Sequence, residues 1–186
     1  MSMESSGGHS RGEAFGKLLL GSLAGLLAMA LLGAALAFSG VISVAANPSG
    51  PIDARADSLL NAISRASIRR HGVRAANPFA GDRAAAGEGL GEFRESCLAC
   101  HGAGRVPPAE FAAGLNPGAP SLDSKEIQSM SDGELFWVVS HGIRSTGMPA
   151  FGGSKDEKDI WRIVAFARRL PTLTEEETRR LRTPGD

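Results

Sequence analysis

The sequence predicts an all-α chain, with one membrane-spanning helix followed by a small helical domain. Three observations carry this. Leu18 to Ala46 is a run of 29 residues without a charge. Downstream, apolar residues recur with a helical period, and no β-branched run alternates every second residue. Finally, Ser131 with Glu134, Ser154 with Glu157 and Thr174 with Glu177 are Ser/Thr-x-x-Glu pairs, which mark helix starts.

Residues 1–17 are polar and read as a disordered cytoplasmic tail. Residues 18–46 exceed the ~20 apolar residues needed to cross a bilayer. They also exceed the roughly 7–15 of a signal peptide's apolar region. An uncleaved anchor is therefore expected, although Ser43-Val44-Ala45 resembles a cleavage site. Either outcome places the remainder outside the cytoplasm. Arg11 and Lys17 flank the N-terminal end, and the next basic residue is Arg55. The positive-inside rule then puts the N-terminus in the cytoplasm of a single-pass inner-membrane protein. Gly21, Gly25, Gly33 and Ala37 form a small-residue stripe on which another helix could pack.

Residues 47–81 read as a linker. Asn47 to Pro51 holds two prolines and a glycine and ends the first helix. Residues 53–72 then form a short amphipathic helix, with Leu59, Leu60, Ile63 and Ser67 on one side. Arg65, Arg69 and Arg70 crowd its C-terminal end, where cations suit the helix dipole. Such a helix could lie on acidic headgroups or on a partner subunit.

Charge is balanced overall, with 20 basic and 20 acidic residues. Residues 1–81 carry net +3 and residues 82–186 net −3. With no long basic run, nothing points to nucleic acid.

Both cysteines lie in "CLACH", Cys97 to His101. A structural zinc site usually takes its ligands from two such pairs, and here there is one. A thioredoxin-like pair belongs in a βαβ unit, which is not visible. A disulfide would leave His101 without a role. Cys-x-x-Cys-His as a whole is the attachment pattern for c-type haem. One helical turn spans the two vinyl groups, and the adjacent histidine ligates the iron. A second axial ligand is then wanted, and a methionine would raise the potential. Met148 is favoured because it sits in a loop punctuated by glycine and proline, Ser145 to Gly153. His141 and Met130 remain alternatives.

Together these residues resemble class I monohaem c-type cytochromes in a membrane-anchored bacterial form. The likeness covers about residues 82–171. "AAAGEGLGEFRESCLACH" is similar to the family's first helix, "GAPSL" to the loop passing under the haem, and "ELFWVVSHGIRSTGMPAFGG" to its methionine loop. "DIWRIVAFARRLP" is similar to the last helix. The resemblance implies an all-α domain around one covalently bound haem, its first and last helices crossing near a right angle. Ile163 and Phe166 would pack on Gly89 and Phe93. The Pro120 carbonyl would accept a hydrogen bond from His101 Nδ1, with Pro107 and Pro108 as rivals. Residues 172–186 would be a charged, exposed C-terminal helix and tail. Trp137 and Trp161 read as core.

The expected function is transfer of single electrons through a His/Met-ligated haem. The chain would act as a carrier between membrane redox complexes or as a subunit of one. In itself it would be no enzyme. The alternative is a haem enzyme or gas-sensing module with a displaceable sixth ligand.

Overall fold

A computed structural model describes residues 9–41 and 51–183, with backbone alone for 9–14 and 51–56. The cleavage-like run at 43–45 and the stretch 47–50 lie outside the described residues, as do residues 1–8. The chain divides into two units, residues 1–45 and 46–186. Every described segment with regular structure is helical. An isolated antiparallel bridge between Ala103 and Val106 interrupts the pattern.

The first unit is helix α1, His9–Phe38. It begins inside the polar segment, so residues 9–17 are helical rather than disordered. Its apolar part, Phe15–Phe38, is 24 residues and exposed throughout. At 1.5 Å per residue this is about 36 Å, enough for the ~30 Å hydrocarbon core.

The second unit opens with α2, Pro51–His71. Pro51 starts this helix instead of ending the previous one, because proline suits a first helical turn. Then follow α3 (Arg83–Ser96), α4 (Leu98–His101), a 3₁₀ turn at Glu110–Gly114, and α5 (Lys125–Gln128). After these come α6 (Asp132–His141), α7 (Glu157–Ala167), a second 3₁₀ turn at Leu170–Thr172, and α8 (Glu175–Arg182).

The α3–α7 seam is the core. Leu90, Phe93, Ile163 and Phe166 are buried there, and the Phe93 and Phe166 rings meet edge to face at 5.2 Å. Gly89 lies against α7 so closely that a Cβ would stand 2.1 Å from the Arg162 carbonyl oxygen. A second cluster joins α6 to α7 through Leu135, Phe136, Ile160, Trp161 and Val164. Trp161 is core as expected. Trp137 is half-buried, its ring stacked between His71 and His141 at 5.8 and 4.9 Å.

Residues 68–82 are docked on this core. Ile68 is buried, and Val73 N–H donates to Gly133 O at 3.1 Å. The buried Asn77 donates to Trp161 O at 3.0 Å and accepts from Phe79 N at 2.9 Å.

Helix starts are set by side-chain caps. Ser131 and Thr174 form reciprocal capping boxes with Glu134 and Glu177. The third expected box does not form. Asp156 caps α7 by accepting from Asp159 N at 2.8 Å. Ser154 instead donates to Phe151 O at 3.3 Å, within the turn that closes the preceding loop.

The C-terminal helix is not simply exposed. Thr178 and Leu181 of α8 are buried, and Arg94 of α3 donates to the carbonyls of Arg180 and Thr183. This end is pH-sensitive. The Arg169 guanidinium bonds the Glu177 carboxylate at 2.7 Å and, with the Thr174 cap, holds its pKa down to about 2 against the opposing effect of burial. A depressed folded-state pKa adds stability above the unfolded value of 4.5, and this is lost as pH falls through about 2. Glu177→Gln is therefore expected to lower stability at neutral pH and to flatten its fall between pH 4.5 and 2, as read by denaturant unfolding across that window.

Candidate haem-binding site

Asp82 opens the site by capping α3, accepting from Ala84 N at 2.8 Å and Ala85 N at 3.2 Å. The helix ends at Cys97, whose N–H still reaches Phe93 O at 2.8 Å. The chain then turns once more. Cys100 N and His101 N both donate to Cys97 O, at 3.2 and 3.0 Å. The two thiols thus stand one helical turn apart, with His101 directly after. Gly102 stops the turn at φ +61°, a conformation that disfavours a side chain, and a Cβ there would lie 2.7 Å from Val106 O.

Cys97 is buried and Cys100 half-buried, and the two are not joined. Burial pushes the Cys97 thiol up to about 12, with Lys155 offsetting part of this. As a free thiol it stays neutral. Conversion to a thioether places no charge in the interior.

His101 Nδ1 lies 2.9 Å from Pro120 O. A carbonyl oxygen only accepts, so Nδ1 is the donor, and in the neutral ring this leaves the lone pair on Nε2. A hydrogen bond of this kind from the far ring nitrogen orients a ligating imidazole and makes it more basic. Pro120 is thus the proline whose carbonyl meets the histidine.

The methionine loop is stitched to the end of α6. Gly142 caps that helix at φ +65° and leaves no room for a Cβ, which would lie 2.7 Å from Met148 O. Met148 is pinned through its own backbone. Its N–H donates to Thr146 Oγ1 at 3.1 Å, and its carbonyl accepts from Ile143 N at 3.2 Å. Phe151 N and Gly152 N return to Val139 O and Ser140 O, at 3.0 and 2.9 Å.

The two halves are linked by the segment after His101. Ala109 N donates to Ala99 O at 2.9 Å, anchoring its start. Leu115 presses on the methionine loop, so that a Cβ on Gly147 would be 2.8 Å from Leu115 Cδ2. Five residues on, Pro120 holds His101. An ion pair between Lys155 and Glu92, largely buried at the lysine, ties the far end of the loop to α3.

Sequence reasoning missed Thr146, Leu115 and the Lys155–Glu92 pair. Thr146 was legible as a short hydroxyl side chain two residues before Met148, a spacing that favours a local turn. The other contacts are long-range and leave no local pattern. Of the alternative ligands, Met130 packs against the second core cluster. His141 is exposed and stacks on the Trp137 indole, and its Nδ1 bonds Trp137 O at 3.0 Å, the same kind of bond that His101 makes. Met148 is half-buried and belongs to neither apolar cluster.

The donor set fits a c-type haem. It has two thiols on one turn, an imidazole with its distal nitrogen free, and a thioether in a braced loop.

Residues 82–166 match the family model described as cytochrome c oxidase, cbb3-type, subunit III. Among curated proteins, dihydro-heme d1 dehydrogenase of Pseudomonas aeruginosa is 32% identical over 93 residues. That alignment covers 49% of this chain and 17% of the relative, so the chain corresponds to a small part of that protein. The family match runs from the cap of α3 to the buried Phe166 of α7, and over these residues the helical unit matches the c-type cytochromes.

Proposed function

We propose that the chain is a membrane-anchored carrier of single electrons. One haem c would be held by thioether bonds to Cys97 and Cys100, with His101 and Met148 as the residues that would ligate its iron. Its partners are membrane redox complexes or the other subunits of one. The observation that carries this reading is the hydrogen bond from His101 Nδ1 to Pro120 O, which leaves the histidine poised as a metal ligand.

The haem supplies reversible one-electron exchange. The chain's own residues do the rest. Cys97 and Cys100 fix position, Pro120 fixes the histidine tautomer, and Thr146 with Ile143 fixes the backbone that presents Met148. Ligation by both His101 and Met148 would favour electron transfer over substrate chemistry. The α1 helix supplies the anchor, with the N-terminus cytoplasmic and the haem unit on the periplasmic side. The net negative charge of residues 82–186 would guide encounter with a basic docking surface.

Met148→Ala tests the ligand assignment. The haem is expected to stay attached while the midpoint potential falls by on the order of 100 mV or more, within the roughly 0.8 V range that axial ligands span. The ferrous form is expected to gain carbon monoxide binding that the parent protein lacks. An unchanged potential and spectrum would reject Met148. Ready carbon monoxide binding by the parent would favour the gas-sensing or enzymatic alternative.

A further inference from the structure

Helix α2 has two faces, and the structure covers one of them at the C-terminal end of the helix. Ile68 is buried, His71 stacks on Trp137, and Arg65 pairs with Glu126. Leu59 is nine residues from Ile68, or half a turn away at about 100° per residue. On that opposite face Leu59 and Ile63 are 62 and 56% exposed, and Leu60, at the edge of the stripe, is 56% exposed. The sequence pattern leaves open whether this stripe meets acidic headgroups or a partner subunit, and α6 is not its partner. Arg70, seven residues past Ile63, continues the same face, and Arg69 lies beside it; both are exposed. The acidic side chain described in α2, Asp57, is half-buried and falls on the docked side.

Three exposed apolar side chains ending in arginine suit the boundary between acyl chains and anionic headgroups. Chain length supports the same occupant. Twelve residues separate Phe38 from Pro51, and an extended stretch of that length reaches about 45 Å at most. A helix tethered so closely to a membrane span meets the bilayer at high effective concentration, so weak affinity suffices.

We propose that the Leu59/Leu60/Ile63 face of α2, continued by Arg70, seats in the anionic headgroup region of the bilayer. Because α2 is docked on α6 by its other face, this contact would fix the orientation of the haem unit above the membrane. The inference rests on the anchoring by α1 proposed above.

The test uses the full haem-loaded chain in phosphatidylcholine/phosphatidylglycerol vesicles. With Cys97 and Cys100 in thioether linkage, an introduced cysteine is the available thiol for a fluorescent probe. Probes are placed singly at Leu60, Ile63, Asn61 and Leu27, and spin-labelled lipids are the quencher. Asn61 is exposed on the side of α2 away from the apolar stripe. Quenching at 60 and 63 is expected to be at least twofold stronger than at 61. It should weaken on Arg69→Glu with Arg70→Glu, or without phosphatidylglycerol, while Leu27 stays fully quenched. If 60 and 63 are quenched no more than 61 while Leu27 is quenched, the α2 contact is wrong and the anchor stands. If Leu27 is unquenched, the anchor reading fails and takes this contact with it. Cross-linking between two copies at position 60, without lipid quenching, would make the face a self-association surface and also overturn the proposal.

Discussion

Gly89→Ala is expected to cost several kcal/mol and to remove most of the folded haem unit, although it adds one carbon atom. An ideal Cβ at this position would stand 2.1 Å from the Arg162 carbonyl oxygen and 2.5 Å from its carbon. Both are backbone atoms of α7, which no rotamer change can move aside. The helices must separate, and the seam that separates holds Leu90, Phe93, Ile163 and Phe166. Interiors are packed at crystal density, so a gap of even ~0.5–1 Å forfeits a quarter to a half of each contact's attraction. Small domains have only about 5–15 kcal/mol to lose. Gly91, two residues on, is the control. It lies in the same helix, yet a Cβ there would meet nothing within 4 Å. Gly91→Ala should be neutral or stabilising by up to about 1 kcal/mol, because alanine favours helix. Thermal unfolding followed by circular dichroism should move the two variants in opposite directions. Equal behaviour would mean that the helices do not touch at Gly89.

The second large effect is expected from Cys97→Ser combined with Cys100→Ser. All covalent haem should vanish, and the folded unit should accumulate at a tenth or less of the parent level. Both thiols sit on the single turn that follows α3, and Cys97 packs within the main core cluster. A prosthetic group that binds the folded state alone shifts the folding equilibrium by mass action. Its covalent loss removes that contribution. Serine at 97 also buries a hydroxyl in an apolar setting, at about 1–3 kcal/mol if unpaired. Haem staining after denaturing electrophoresis, paired with immunodetection of the chain, reads both consequences. Persistent haem in the double variant would show that these residues are not the attachment points.

Much of this architecture was legible because it is local. The capping boxes at Ser131 and Thr174, the glycine–phenylalanine pair at 89 and 93, and the Cys-x-x-Cys-His turn are each written within a few residues. The Pro120 contact with His101 spans 19 residues and came through family resemblance, not spacing. What stayed hidden depends on competition or distance. Ser154 and Asp156 are both plausible caps, and Ser154 lost because its hydroxyl closes the turn after the methionine loop. The stripe on α2 showed an amphipathic helix but not which face the domain would take. The domain took the side bearing Ile68 and His71. Leu115 reaches Gly147 across more than thirty residues of sequence, and shape alone dictates that contact.

Covalent attachment of haem through Cys97 and Cys100 is best checked by intact mass analysis of the chain after acid denaturation. The expected mass is polypeptide plus one haem, with the added mass on the peptide containing Cys97 to His101. A mass equal to the bare polypeptide, or haem released by the denaturant, would rule the attachment out.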